Sequence, residues 1–181
     1  MSNNIVLIGF ASTGKSAVGQ TIATSYNYTF IDGDELIREI FSKEKGLKLS
    51  VREIFLTYGS DFFRELEHKT LESISNCTNS VLATGGGAAI QEINWKILKN
   101  IGTVVYLYAR PEIIFERMKE KGMPAWLQEN PCIENLTGRW ETRDPVYRSL
   151  ADLTIDTSDK DITTVSVEVF QFHEQHNRNT V

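Results

Sequence analysis

The stretch "GFASTGKS", Gly9 to Ser16, stands between the apolar run "NNIVLI" and the segment "AVGQTIATSY". Ile5 to Ile8 are continuous in Ile, Val and Leu, as in a strand buried on both faces. After the loop, Val18, Ile22 and Ala23 recur at helical spacing. A glycine-bounded loop thus carries a strand into a helix, and it matches G-x-x-x-x-G-K-[ST]. Gly9 and Gly14 admit backbone dihedrals that a Cβ disfavours, so successive N–H groups can converge on one anion. The helix that follows aims its unpaired N–H groups and the positive end of its dipole at the same point. In such a loop Lys15 reaches the β- and γ-phosphates and the Ser16 hydroxyl ligates Mg²⁺. The plainer reading is a glycine-rich turn with a solvated lysine; the strand before it and the helix after it weigh against that.

The rest of the chain sets the frame. Its 181 residues suit one domain with a substantial core. A hydrophobic share of 41% and a charged share of 24% are those of a globular protein. The net charge of −5 argues against a nucleic-acid partner, because such a surface repels phosphate backbones. No apolar run approaches a membrane span and the first residues lack a signal-peptide pattern, so the expectation is a cytoplasmic protein with no membrane partner. Cys77 and Cys132 are then expected as free thiols. His173 and His176 fall in a polar C-terminal stretch and read as solvated.

Strand-like runs ("IVLI", "YTFID", "SVLAT", "TVVYLYA", "LTID") alternate with helical ones such as "RELEHKTLESIS" and "PEIIFERMKEK". That alternation predicts an α/β fold, a parallel sheet with helices on both faces. Ser50 with Glu53 reads as a capping box, and Pro111 suits a first helical turn. Ligands in such folds lie beyond the carboxyl ends of the strands. At the second of these ends stand Asp32 and Asp34, two apart, hence on one side of an extended chain. Two readings stay open there: acids for Mg²⁺ and for an attacking hydroxyl, or Asp34 as the cap of the following helix. At the third end, Gly85 to Gly87 permit close backbone approach to a ligand; a hinge is the alternative. In "DFFRELEHK", Arg64 and Glu67 are three apart on one helical face, either as a surface pair or as a held guanidinium aimed at an anion.

The P-loop, Asp32-x-Asp34, Phe63-Arg64-x-x-Glu67 and Gly85–Gly87 occur in the order and spacing of shikimate kinases, and the chain resembles that family over nearly all its length. "RDPVYRSLADLTIDT" resembles the family's stretch between lid and last strand. The resemblance implies a P-loop NTPase-type three-layer α/β/α sandwich with a five-stranded parallel sheet and a mobile lid. It also implies a single domain over residues 1–181, with an acceptor-binding helical region near 33–62 and a lid near 119–138. The implied reaction transfers the γ-phosphoryl of ATP to the 3-hydroxyl of shikimate, with Mg²⁺, in aromatic amino-acid precursor synthesis. By that likeness Lys15 and Asp34 are catalytic, Asp34 binding the reacting hydroxyl as its base. Arg64 and Arg148 grip the substrate carboxylate, and Gly85, Gly86 and Gly87 lie against its ring. Ser16 and Asp32 serve the metal. Gly9, Ala11, Ser12, Thr13, Gly14, Lys15, Ser16 and Ala17 hold the nucleotide, while Arg117 stacks on adenine opposite the segment from Thr157 to Lys160. The expected state is a monomer.

Two departures from the family pattern stand out. Ser12 replaces a third loop glycine, outside the minimal P-loop pattern. In "GMPAWLQENP", Met123 replaces a lid arginine that reaches the transferring phosphate. In related phosphoryl transfers such an arginine contributes roughly 10³–10⁵ in rate, none of which methionine can supply. Lys119, Lys121, Arg139 and Arg143 are the nearby bases, Lys121 the nearest in sequence. Trp126 and Trp140 flank the lid, to pack there or to close over the pocket. Two alternatives therefore stand beside shikimate phosphorylation: a kinase for another small hydroxy acid, or a non-catalytic binding homologue. Intact Lys15, Ser16, Asp32 and Asp34 weigh against the latter.

Overall fold

The computed structural model describes residues 3–128 and 130–179; residue 129 of the expected lid lies outside them. Five strands, β1 (Ile5–Ile8), β2 (Thr29–Asp32), β3 (Ser80–Ala83), β4 (Thr103–Tyr108) and β5 (Leu153–Asp156), form one parallel sheet in the order β2-β3-β1-β4-β5. All five coincide with the strand-like runs of the sequence.

The continuous apolar character of β1 follows from its central position. Ile5 and Leu7 face one layer, packing with Val18 and Ile22 of α1 (Lys15–Tyr26) and with Val165 and Val169 of α8 (Ile162–Asn179). Val6 and Ile8 face the other, among Leu98 of α4 (Trp95–Ile101), Ile114 and Met118 of α5 (Pro111–Lys121), and Leu136 and Tyr147 of α7 (Ile133–Leu150). Two faces, each covered by helices, give the α/β/α sandwich. A third cluster, Ile37, Phe41, Ile54, Phe63 and Leu66, joins α2 (Gly33–Lys45) to α3 (Val51–Ser73) and forms a satellite core beside the sheet.

Local signals operate as expected at two helix starts. Ser50 and Glu53 make a reciprocal capping box on α3, and Pro111 opens α5. The α3 helix is kinked at Gly59, whose φ of 83° and ψ of 174° lie where only glycine is at ease.

The C-terminal stretch departs from its sequence reading. It is the helix α8, and His173 is fully buried. Its Nδ1 lies 2.8 Å from the Thr103 hydroxyl and its Nε2 lies 3.0 Å from Asn3 Oδ1. The polar residues around it in sequence occupy the outer faces of the helix, and the imidazole points at the sheet. No helix among the described residues is long and apolar enough to cross a membrane.

Candidate active site

The chain leaves β1 at Ile8, between neighbours β3 and β4, so the P-loop opens at the crevice where the sheet order reverses. Gly9 and Gly14 take φ of 140° and 98°. Ser12 sits at φ 63°, a left-handed conformation that costs an L residue about 1–2 kcal/mol and suits the glycine it replaces. Lys15 is buried, its Nζ donating to the carbonyls of Gly9 at 3.0 Å and Phe10 at 2.7 Å. Burial lowers its pKa to about 8, against the attraction of Asp34 and Asp32. Ser16 Oγ donates to Asp32 Oδ2 at 3.1 Å.

Asp32 resolves the capping question. Its Oδ1 accepts from the N–H groups of Asp34 and Glu35, so Asp32 is the N-cap of α2 and Asp34 is not. Asp34 stands in the first helical turn rather than in extended chain, and it faces the crevice from there. Burial raises its pKa, and the neighbouring Asp32 pushes the same way while Lys15 opposes.

Two cavities meet at this carboxylate. The first, of about 270 Å³, lies over the P-loop and is lined by Ser12, Lys15, Ser16, Asp32, Asp34 and Lys121, among others. The second, of about 500 Å³, is lined by Phe63, Arg64, Glu67, Arg139 and Arg143 together with Met123, Pro124 and, from α6 (Ala125–Gln128), Trp126. Ala11, Asp34, Gly85 and Gly86 belong to both. Glycine here leaves room for the site's side chains: a Cβ on Gly85 would stand 2.8 Å from Asp34 Oδ1, and one on Gly87 would displace the Arg64 guanidinium.

Arg64 Nη1 holds Glu67 Oε2 at 2.7 Å, and Glu67 is only 3% exposed. Burial raises the Glu67 pKa and Arg64 counters it, the pattern of a buried acid kept to orient a cation. Arg143 donates to the Gly86 carbonyl at 3.2 Å, and the Tyr147 hydroxyl donates to the same oxygen at 2.5 Å. Arg139 lies over the Trp126 ring, 4.5 Å from its centroid, and Trp126 in turn meets Phe10 edge-on. Burial lowers the Arg139 pKa, with Arg143 and Arg64 adding repulsion. Converging guanidinium groups of this kind fit a small anion with planar oxygens.

Arg148 does not join them. It pairs with Asp144 at 2.7 Å and lies over Tyr108, outside the lining of either cavity. The reason is helical geometry: Arg139, Arg143 and Tyr147 are four apart and share one face of α7, and the next residue is turned about 100° away. That four-residue spacing was the signal for Arg143. Arg117 is held by Thr157, through its hydroxyl at 3.2 Å and its carbonyl at 2.7 Å. Thr157 Oγ1 also lies 3.3 Å from the Thr13 carbonyl, so both residues border the far end of the P-loop. Trp140 packs edge-on to Tyr108, and Trp126 lines the second cavity.

A nucleotide-type loop and a guanidinium-lined cavity joined at one carboxylate define a P-loop kinase with a small acceptor. The comparisons narrow it. The shikimate kinase family model matches residues 11–174. A shikimate kinase of Caldanaerobacter subterraneus is 41% identical over 93% of this chain and 94% of its own, and one of Geobacter sulfurreducens 39% over 96% and 92%. The structure of an Acinetobacter baumannii shikimate kinase in complex with shikimate superposes with a TM-score of 0.83, at 33% identity, over 96% of this chain and 93% of its own. The chain belongs to the shikimate kinase family. It has that family's activity, ATP-dependent phosphotransfer to an alcohol acceptor in aromatic amino-acid biosynthesis.

Proposed function

We propose that the cavity over the P-loop takes the ATP phosphates and the second takes shikimate, whose 3-hydroxyl is phosphorylated at the junction. The observation that carries this division is that the two cavities share Asp34, a carboxylate at their junction whose pKa is raised from its ordinary value. Asp34 accepts the hydroxyl proton as the alcohol oxygen attacks. Arg64, steadied by Glu67, and Arg143 grip the carboxylate, with the glycine backbone against the ring. Lys15 leaves the Gly9 and Phe10 carbonyls to meet the β- and γ-phosphates. Arg117 and Thr157 border the base.

Mg²⁺ fits the residues present. Ser16 Oγ and Asp32 Oδ2 are hard oxygens 3.1 Å apart, close to the edge of an octahedron with bonds of about 2.1 Å. Among the described residues no group of three or more His, Cys, Asp or Glu could hold a metal. Such a cation leans on phosphate oxygens and water, as Mg²⁺ prefers. When bound it supplies charge neutralisation on the β- and γ-phosphates.

The test is ADP release from Mg·ATP with shikimate and with quinate as a comparison acid. Shikimate-dependent turnover well above the quinate rate is expected; equal rates would reject the acceptor. Arg143→Lys should weaken the acceptor by about 1–3 kcal/mol, the loss of a charge-assisted fork, with KM for ATP unchanged. An unchanged KM for shikimate would reject Arg143 as a carboxylate ligand.

A further inference from the structure

The P-loop cavity is short of positive charge for the group it must pass. Asp32 and Asp34 line it with Lys15 and Lys121, the two cations among its lining residues. Lys15 is the one side-chain cation on the P-loop side of this cavity, which holds two carboxylates, and the lid position that would supply a guanidinium holds Met123. Met123 lines the acceptor cavity, while Lys121, two residues earlier at the end of α5, lines the phosphate cavity. The end of α5 therefore faces both compartments. Lys119 is occupied, holding Glu116 at 2.6 Å and lying over Phe115. Lys121 pairs with no acid among the described residues and remains exposed at the mouth of the cavity. Arg139, the other base near the lid, is drawn to the acceptor side, over Trp126.

We infer that Lys121 is a catalytic residue of this chain, its ammonium contacting the γ-phosphoryl oxygens during transfer in place of the lid guanidinium. This rests on the assignment of the P-loop cavity to the ATP phosphates. In the step, the bond from the γ-phosphorus to the β–γ bridging oxygen breaks and leaves ADP. The acceptor oxygen forms the new P–O bond, and its proton passes to Asp34. Negative charge spreads over the three equatorial oxygens as this happens, and a lysine reaching them lowers the barrier as a point charge. A lysine also suits a helix C-terminus through the dipole alone. The experiment must separate that structural role from the catalytic one.

Steady-state kinetics and thermal melting of K121A, K121R, K119A, K15A and the pair K121A/M123R would do so. K121A should lose roughly 10²-fold in kcat, as when one transition-state donor is removed, with KM for ATP and shikimate within about threefold and Tm nearly unchanged. K121R should keep most of the rate, K119A should match wild type, and K121A/M123R should regain at least tenfold over K121A. A K121A enzyme retaining more than about a third of wild-type kcat overturns the inference. So does a loss that tracks Tm, or one seen equally in K119A. K15A is the separate control: if it too turns over normally, the phosphate assignment itself has failed.

Discussion

Asp32 and Asp34 divide two tasks that their sequence spacing left undecided. Asp32 closes the N-terminus of α2 and takes the Ser16 hydroxyl, so its oxygens are satisfied. Asp34 is thereby spared the cap and left in the crevice, where burial and the charge of Asp32 hold its pKa up. A carboxylate whose folded pKa lies above its unfolded value lowers stability as pH rises past the unfolded value, and the penalty is complete once pH exceeds the folded value. Asp34→Asn removes that penalty along with the base. We expect turnover to fall about 10²–10⁴-fold and Tm to be at least that of the wild type. Calorimetry and steady-state assays on one preparation check both. A variant that melts lower and no longer binds ATP would make Asp34 a structural group instead.

At the scale of elements, the strands were legible because each is a short apolar run between turn residues, and the three-layer core follows from Ile5–Ile8 being buried on both faces. The P-loop, Arg64–Glu67 and the glycine run were legible because each is local in sequence. Which arginine of α7 lines the cavity beside Arg64 was not, because that depends on the phase of the helix, and a sequence with charges on several faces does not announce it. The kink of α3 was equally hidden, since a lone glycine within a helical pattern is tolerated in many helices. That kink has a consequence for the site. The part before Gly59 brings Val51, Arg52 and Phe55 to the acceptor cavity, and the part after it brings Phe63, Arg64 and Glu67. Phe55 and Phe63 meet edge-on across it, with ring centroids 5.7 Å apart. A Cβ at residue 59 meets nothing within 4 Å, so the strain of Gly59→Ala lies in the backbone alone. The variant should lose about 1–3 kcal/mol of stability and straighten α3. KM for shikimate should rise while KM for ATP holds. Equal changes in both would mean that the kink does not set the acceptor cavity.

On the scale of the whole molecule, the functional crevice occupies the carboxyl end of the sheet and a polar knot fastens the opposite end. His173 of α8 joins Thr103 at the start of β4 and Asn3 just before β1, so one imidazole ties the last helix to two central strands. Asn4 adds a second fastening, donating to the Ile101 carbonyl at 2.9 Å and accepting from the Ser80 N–H. The neutral ring, with one donor and one acceptor nitrogen, meets the Thr103 hydroxyl at Nδ1 and the Asn3 and Asn177 side chains at Nε2. Burial lowers the His173 pKa, Glu174 raises it in part, and His176 lowers it further. The unfolded chain, with an ordinary imidazole near 6.5, then binds a proton that the folded chain refuses. The stabilisation is complete above about pH 6.5 and declines as pH falls from there toward the depressed folded value. Urea unfolding at pH 7.5, 6.5 and 5.5 should show it against His173→Gln, which cannot titrate. The wild type should be the more stable at pH 7.5, and its advantage should shrink by pH 5.5. A difference that stays constant across the three would mean that the imidazole titrates in the fold as it does in the unfolded chain, and the knot would then owe its strength to packing.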